Sequence, residues 1–206
     1  MPNTADILPK LILAVAKTIE INAEELTALD QAIGDGDHVT NLQRGLQALA
    51  AQSEALSQLD WKTALQKIGM TVMSSIGGAS GSLYGTLFIA MSKSLQNQSL
   101  TLTTFADVFS KGVEAVKQRG KADKGEKTML DVLIPVAEYL HQNADKPDVI
   151  DQLKQAAMAG AESTRDMLAT KGRASFLGER SRGHIDAGAK SSQLMICAIV
   201  DVLARG

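Results

Sequence analysis

Apolar residues recur every three or four positions over most of this chain. Leu8, Leu11, Ile12, Val15 and Ile19 share one face and predict a first helix from about Ala5 to Glu20. Asn22 is placed to cap a second helix that carries Leu26, Leu29 and Ile33. Asp37 is placed to cap a third, with Leu42, Leu46 and Leu49 inward. Leu59 to Ile76 predicts a fourth helix running into GGASGS, and Leu83 to Leu95 a fifth. Thr103 or Thr104 can cap a sixth, with Phe105, Val108 and Phe109 on its buried side. Thr128 to Gln142 predicts a seventh, which Pro135 should kink or break. Val149 to Thr170 gives an eighth, and Ser191 to Leu203 closes the chain. No stretch alternates with period two over strand length, and no repeat or low-complexity segment is present.

Composition supports helices. Hydrophobic residues are 45% of the 206 and aromatics only 3%, so the core must be built from Ala, Leu, Ile, Val and Met. The length suits one domain, spanning 1–206. A net charge of -2 supplies no field for nucleic acid or an anionic membrane. No apolar run reaches membrane-spanning length, and the opening MPNTADILPK lacks the regions of a signal peptide. A cytoplasmic location is therefore expected. Cys197 is the sole cysteine and sits in an apolar helix, where it reads as a core residue.

The unusual composition lies in the links, which short connections between helices would gather at one end of a bundle. LDQAIGDGDHVTNLQRG places Asp30, Asp35 and Asp37 within eight positions. Like charges so close repel unless a cation sits between them or water screens them. Hard oxygen donors suit Mg²⁺ or Ca²⁺ rather than zinc. The calcium-loop spacing fails, because Val39 and Thr40 fall where its fifth and sixth positions would be. Mg²⁺ with a phosphate ligand fits better, and a solvated turn fits equally well.

SSIGGASGSLYGT enters a helix with small residues, as a phosphate-binding turn does, but it lacks the P-loop Gly-Lys-Ser/Thr and a preceding strand. A simple glycine-capped turn explains it too. In RGKADKGEKTMLD, Lys121, Lys124 and Lys127 form either a cationic lip or, by default, a solvated loop. KGRASFLGERSRGHIDAGAKSS is either a lid or a flexible excursion; its Arg173, Arg180 and Arg182 could face an anion, and Asp186 could cap a helix or touch a ligand. His38 and His184 could carry a phosphate, act as a base or simply bond locally.

Taken in order and spacing, IGDGDH, GGASG, RGKADKGEKTMLD and KGRASFLGERSRGHIDAGA resemble the nucleotide-binding L subunit family of bacterial dihydroxyacetone kinases, over essentially the whole chain. The resemblance implies an all-α, antiparallel eight-helix up-and-down barrel with ADP or ATP at one rim. It implies that Asp30, Asp35 and Asp37 hold two Mg²⁺ ions on the phosphates. His38, Val39, Thr40 and Asn41 would lie by the nucleotide, with Ala79 and Ser80 on its phosphates and Gly120 and Met129 beside the adenine. Arg173, Asp186, Ala187 and Gly188 would come from the lid, with Arg173 near the transferring phosphoryl group.

The sugar would sit on a separate dihydroxyacetone-binding K subunit. A phosphohistidine on an M subunit would recharge ADP in place. A free-ATP kinase for another short-chain ketose, and a nucleotide-sensing partner of a transcription regulator, use the same module. Three positions depart from the family pattern: Val39 for Gly, stiffening the bend before Thr40, Ser82 for Pro, and Ala187 for Pro, removing a rigid joint from the lid.

Overall fold

An amphipathic helix can bury its stripe only against a neighbour, and here the stripes close into a ring. The computed structural model describes residues 5–95, 99–146 and 149–205, so the opening MPNT lies outside the described residues. The helices are α1 (Leu8–Ile21), α2 (Ala23–Ile33), α3 (His38–Ala50), the single turn α4 (Ser53–Ser57), α5 (Trp61–Ser75), α6 (Gly78–Leu95), α7 (Leu102–Gly120), α8 (Leu130–Asn143), α9 (Val149–Ser163) and α10 (Ala187–Leu203). A 3-10 segment, Arg173–Ser181, lies between α9 and α10. The described residues contain no strand.

Packing neighbours run α1, α3, α5, α6, α7, α8, α9, α10 and back to α1. Eight helices therefore enclose one contiguous apolar core, with Leu26, Leu42, Leu130 and Leu140 almost fully buried. The short α2 lies against α3 and α10, and its C-terminus feeds the acidic bend. None of the described helices is long and apolar enough to cross a membrane.

Several expected boundaries move, each for a local reason. Thr101, not Thr103 or Thr104, caps α7: its side chain accepts from the Thr104 N–H at 3.1 Å. Asp60 caps α5 by accepting from the Thr63 N–H at 3.0 Å, so that helix begins at Trp61. Asn22 and Asp37 stand at N-cap positions, but neither side chain makes a capping bond. The glycine-rich stretch, expected as a link, is helical from Gly78. Val39 lies inside α3 and is buried, so no bend precedes Thr40. α9 ends at Ser163, seven residues short of Thr170. Cys197 is half-buried rather than a core residue.

Pro135 does not break α8, which continues through it. A proline lacks the N–H that would bond the carbonyl four residues earlier, here Asp131 O. That carbonyl is the atom a Cβ at position 160 would strike, at 2.4 Å, with Val132 Cα at 3.0 Å. Gly160 thus lets α9 approach the face of α8 that the proline leaves short of a bond.

Candidate functional site

Three helix N-termini open onto one cleft of about 370 Å³: α3 at His38, α6 at Gly78 and α10 at Ala187. The positive dipole end makes each favourable to an anion. The acidic bend stands beside them. Asp30, Asp35 and Asp37 each offer a carboxylate oxygen, and these oxygens all lie within 4.8 Å of one another. A place for cations thus adjoins a place for anions, which is what a metal–phosphate ligand needs.

The bend is built to hold Asp30 in place. Its Oδ2 accepts from the His38 N–H at 3.1 Å, so the carboxylate of α2 caps α3 where Asp37 was expected to. Gly34 makes room for it: a Cβ there would lie 2.0 Å from Asp30 Oδ1. Asp35 receives Arg173 Nε at 2.6 Å, bringing the 3-10 segment over the cluster. Three hard, anionic donors with one opposing guanidinium fit divalent cations by charge and chemistry.

His38 lies behind the carboxylates, with Nε2 2.9 Å from Ser191 Oγ and Nδ1 3.3 Å from Ser80 Oγ. Burial pulls its imidazole below the ordinary value, against the upward pull of Asp30 and then Asp37. Ser191 donates onward to Gly188 O at 3.1 Å. Tyr84 and Ser192 add a second tie between α6 and α10, at 2.8 Å.

Asp186 caps α10 by accepting from the Ala189 N–H at 2.8 Å. Protein surrounds it except toward the cleft, and this burial pushes its carboxyl up to about 6; the Ala189 N–H and then Lys127 oppose the rise. Ala187 occupies the first helical position, where proline is favoured, so α10 starts without that rigid joint.

A second pocket of about 250 Å³ adjoins the cleft through Ala79, Leu83 and Met129. Its walls include Val116, Gly120 and Leu130, an apolar slot suited to a flat ring. At its mouth Arg119 Nε donates to Ser82 Oγ at 2.8 Å, a contact a proline at 82 could not make.

Of the residues singled out in the sequence, His38, Asn41, Ala79, Ser80, Met129, Arg173, Asp186, Ala187 and Gly188 line the cleft with the three aspartates. Gly120 lines the adjoining pocket. Val39 faces the core, and Thr40 is exposed outside the cleft. His184 lends its carbonyl, which accepts from Lys127.

The sequence reading did not single out Asp131, and it gave Lys127 a different place. Asp131 is 1% exposed and accepts from the N–H groups of Gly125 at 2.5 Å and Thr128 at 2.8 Å. Thr128 Oγ1 in turn accepts from the Leu130 N–H at 3.1 Å. The Asp131 carboxylate thus ties the turn before α8 back onto the helix's first turn. Lys127, expected in a solvated loop, is 1% exposed. No sequence signal separates it from its neighbours Lys121 and Lys124.

The chain matches the family described as the DAK2 domain over residues 32–201. It is 44% identical over 182 residues to the ADP-binding subunit DhaL of PEP-dependent dihydroxyacetone kinase 1 of Listeria innocua, covering 88% of each chain. The ADP-binding subunit DhaL of the Escherichia coli PEP-dependent dihydroxyacetone kinase is also 44% identical, over 84% of this chain and 85% of that one. The Homo sapiens triokinase/FMN cyclase is 32% identical over 87% of this chain and 32% of its own. The crystal structure of the C. freundii dihydroxyacetone kinase in complex with AMP-PNP and Mg²⁺ aligns with a TM-score of 0.75 at 25% identity, over 98% of this chain and 34% of that one.

Proposed function

Because this chain belongs to the DAK2 domain family, we propose that it is the nucleotide-carrying phosphotransfer subunit of a multi-component dihydroxyacetone kinase. One observation supports this above the others: a three-carboxylate cluster and three helix N-termini share a single cleft. In this reading residues 1–206 form one nucleotide-binding domain that works in the cytoplasm. The phosphoryl group passes to dihydroxyacetone on a K subunit and is replenished by a phosphohistidine on an M subunit.

Each part of the cleft has a role in that reading. Asp30, Asp35 and Asp37 would hold two Mg²⁺ ions. When bound, Mg²⁺ neutralises phosphate charge and aligns the transferring group. The amide groups at the start of α6 and the Ser80 hydroxyl bind phosphate oxygens. The apolar slot at Leu83, Val116 and Met129 takes the adenine and sets how deep the phosphates reach. Neutral His38 fixes the Ser80 hydroxyl without adding a charge of its own. Arg173 supplies the positive group paired with Asp35, the place to stabilise charge on a phosphoryl group in transit.

Asp35→Asn tests the assignment directly. Mixed with K and M partners, phosphoenolpyruvate and dihydroxyacetone, it should lose transfer at least about a hundredfold, as removal of a charge-stabilising group does. Unchanged transfer would sink the metal role. The alignment with a kinase crystallised with AMP-PNP and Mg²⁺ favours a second reading, direct use of free ATP for a short-chain ketose. Native mass spectrometry separates the two. Nucleotide retained through purification supports the recharged coenzyme, and rapid exchange with solution ATP supports the second.

A further inference from the structure

Among the described residues Lys127 is the lysine buried to 1% exposure, and no carboxylate there makes an ion pair with it. Its Nζ donates to three backbone carbonyls: Thr164 at 2.5 Å, Arg165 at 3.2 Å and His184 at 2.5 Å. Three acceptors around one nitrogen require three N–H donors, so the group is an ammonium; a neutral amine would turn a lone pair on one of the oxygens. The residue also takes a left-handed backbone, φ 61°, which a non-glycine adopts at a cost. The fold therefore spends both a desolvated charge and a disfavoured backbone at this point.

The three carbonyls are not a random set. Thr164 and Arg165 follow α9, and His184 lies two residues before the Asp186 cap of α10. They are the two ends of the loop that carries the 3-10 segment. Secondary ties close the same neck: Gly183 N–H to Arg165 O at 2.8 Å and Asp186 N–H to Thr164 Oγ1 at 3.0 Å. The preceding residue grips the loop further along, where Glu126 Oε1 accepts from Thr170 Oγ1 at 3.1 Å. The two residues that follow, Thr128 and Met129, line both the cleft and the apolar pocket. One short segment thus fastens the loop that brings Arg173 to Asp35.

We propose that Lys127 is a positioning residue for phosphoryl transfer: its ammonium clamps the neck of the 164–186 loop to the wall of the base pocket and so sets Arg173 over the aspartate cluster. The role rests on the phosphotransfer reading above. The clamp itself is a property of the free protein and is tested there first.

Lys127→Met keeps the aliphatic stem and removes the donors. Amide hydrogen exchange of the nucleotide-free protein should then quicken at least about tenfold at Gly183 and Asp186, the scale of losing hydrogen bonds from a charged donor. Exchange in α1, α3 and α5 should stay as in wild type. Turnover with K and M partners should fall at least about tenfold, and adenosine affinity by clearly less, because Lys171 and Gly172 of the same loop form only one side of the base pocket. Lys127→Arg, still a donor-only cation, should move both readings back toward wild type.

Unchanged exchange at Gly183 and Asp186 in Lys127→Met overturns the clamp. So does a uniform quickening across all helices with adenosine binding lost as well, which marks a fold-wide support. Equal impairment in the Met and Arg variants overturns it too. If Lys127→Met does not fold, Lys127→Gln, with two N–H donors and no charge, is read by the same measures. Wild-type protein that binds no ADP would sink the nucleotide reading instead, a failure seen on a different sample.

Discussion

Gly34→Ala puts a single methyl where the structure has no room for one. The new Cβ would stand 2.0 Å from Asp30 Oδ1, 2.8 Å from Asp30 O and 3.0 Å from Asp30 Cγ. The backbone oxygen is fixed by its bond from the Gly34 N–H at 2.5 Å, so the carboxylate must move. Driving that side chain off its rotamer costs about 0.5–1.5 kcal/mol. Losing its bond from the His38 N–H, a hydrogen bond to a charged acceptor, costs about 1.5–3 kcal/mol more. The metal-bound state must keep Asp30 beside Asp35 and Asp37, so it bears this cost. Mg²⁺-dependent ADP affinity should therefore weaken by about 2–4 kcal/mol, roughly 30- to 1,000-fold. Isothermal titration of ADP with and without Mg²⁺ reads this directly, because the metal-independent part of binding should be spared. Wild-type Mg²⁺ dependence, with Asp30 still bonded to the His38 N–H in crystals of the variant, would refute the reasoning.

Three further outcomes are expected. Asp186, held up to about 6 against an ordinary 3.8, binds its proton more tightly folded than unfolded, so stability should fall as pH rises from 3.8 through 6. The full penalty, at most about 3 kcal/mol, then persists above that window. Asp186→Asn keeps an acceptor for the Ala189 N–H and should melt higher than wild type at pH 8, by up to roughly 10 °C, but not at pH 4; an equal difference at both pH values in metal-free melts would contradict this. Gly160→Ala drives a methyl against backbone atoms of α8 that cannot rotate away, and urea denaturation should show a loss of about 1–3 kcal/mol; an unmoved midpoint would count against the close approach. Arg173→Ala breaks an ion pair whose arginine side chain is 72% exposed, so its effect on melting should be under about 1 kcal/mol, while transfer drops at least about a hundredfold. Wild-type turnover in that variant would remove Arg173 from the chemistry.

The helices and the clustering of the acidic bend were legible in the chain for the same reason: both are local. A face of Leu8, Ile12, Val15 and Ile19 follows from 3.6 residues per turn, whatever packs on it. Three aspartates in one bend are close in space because they are close in sequence. Where the reading of caps erred, the competing signal was also local. Thr101 stands two residues before the expected Thr103, and Asp60 directly before Trp61. The glycine-rich stretch was misjudged because glycine propensity argues against helix, whereas tight packing with α5 and the needs of a helix N-terminus decided otherwise.

What sequence could not settle depends on atoms brought from elsewhere in the chain. Lys121, Lys124 and Lys127 look alike in one loop, but only Lys127 meets three carbonyls from residues 37 to 57 positions away. Asp186 and Asp131 differ from surface carboxylates only by what surrounds them. The reach of the 164–186 loop to Asp35, the apolar slot between α6, α7 and α8, and closure of α10 onto α1 are likewise properties of packing. By itself the chain determined a helical protein with an acidic bend and glycine-rich and basic stretches on its links. Tertiary structure decided which of those groups lost their water, and desolvation, which no local pattern encodes, is what turns a charged side chain into a clamp or a titrating acid.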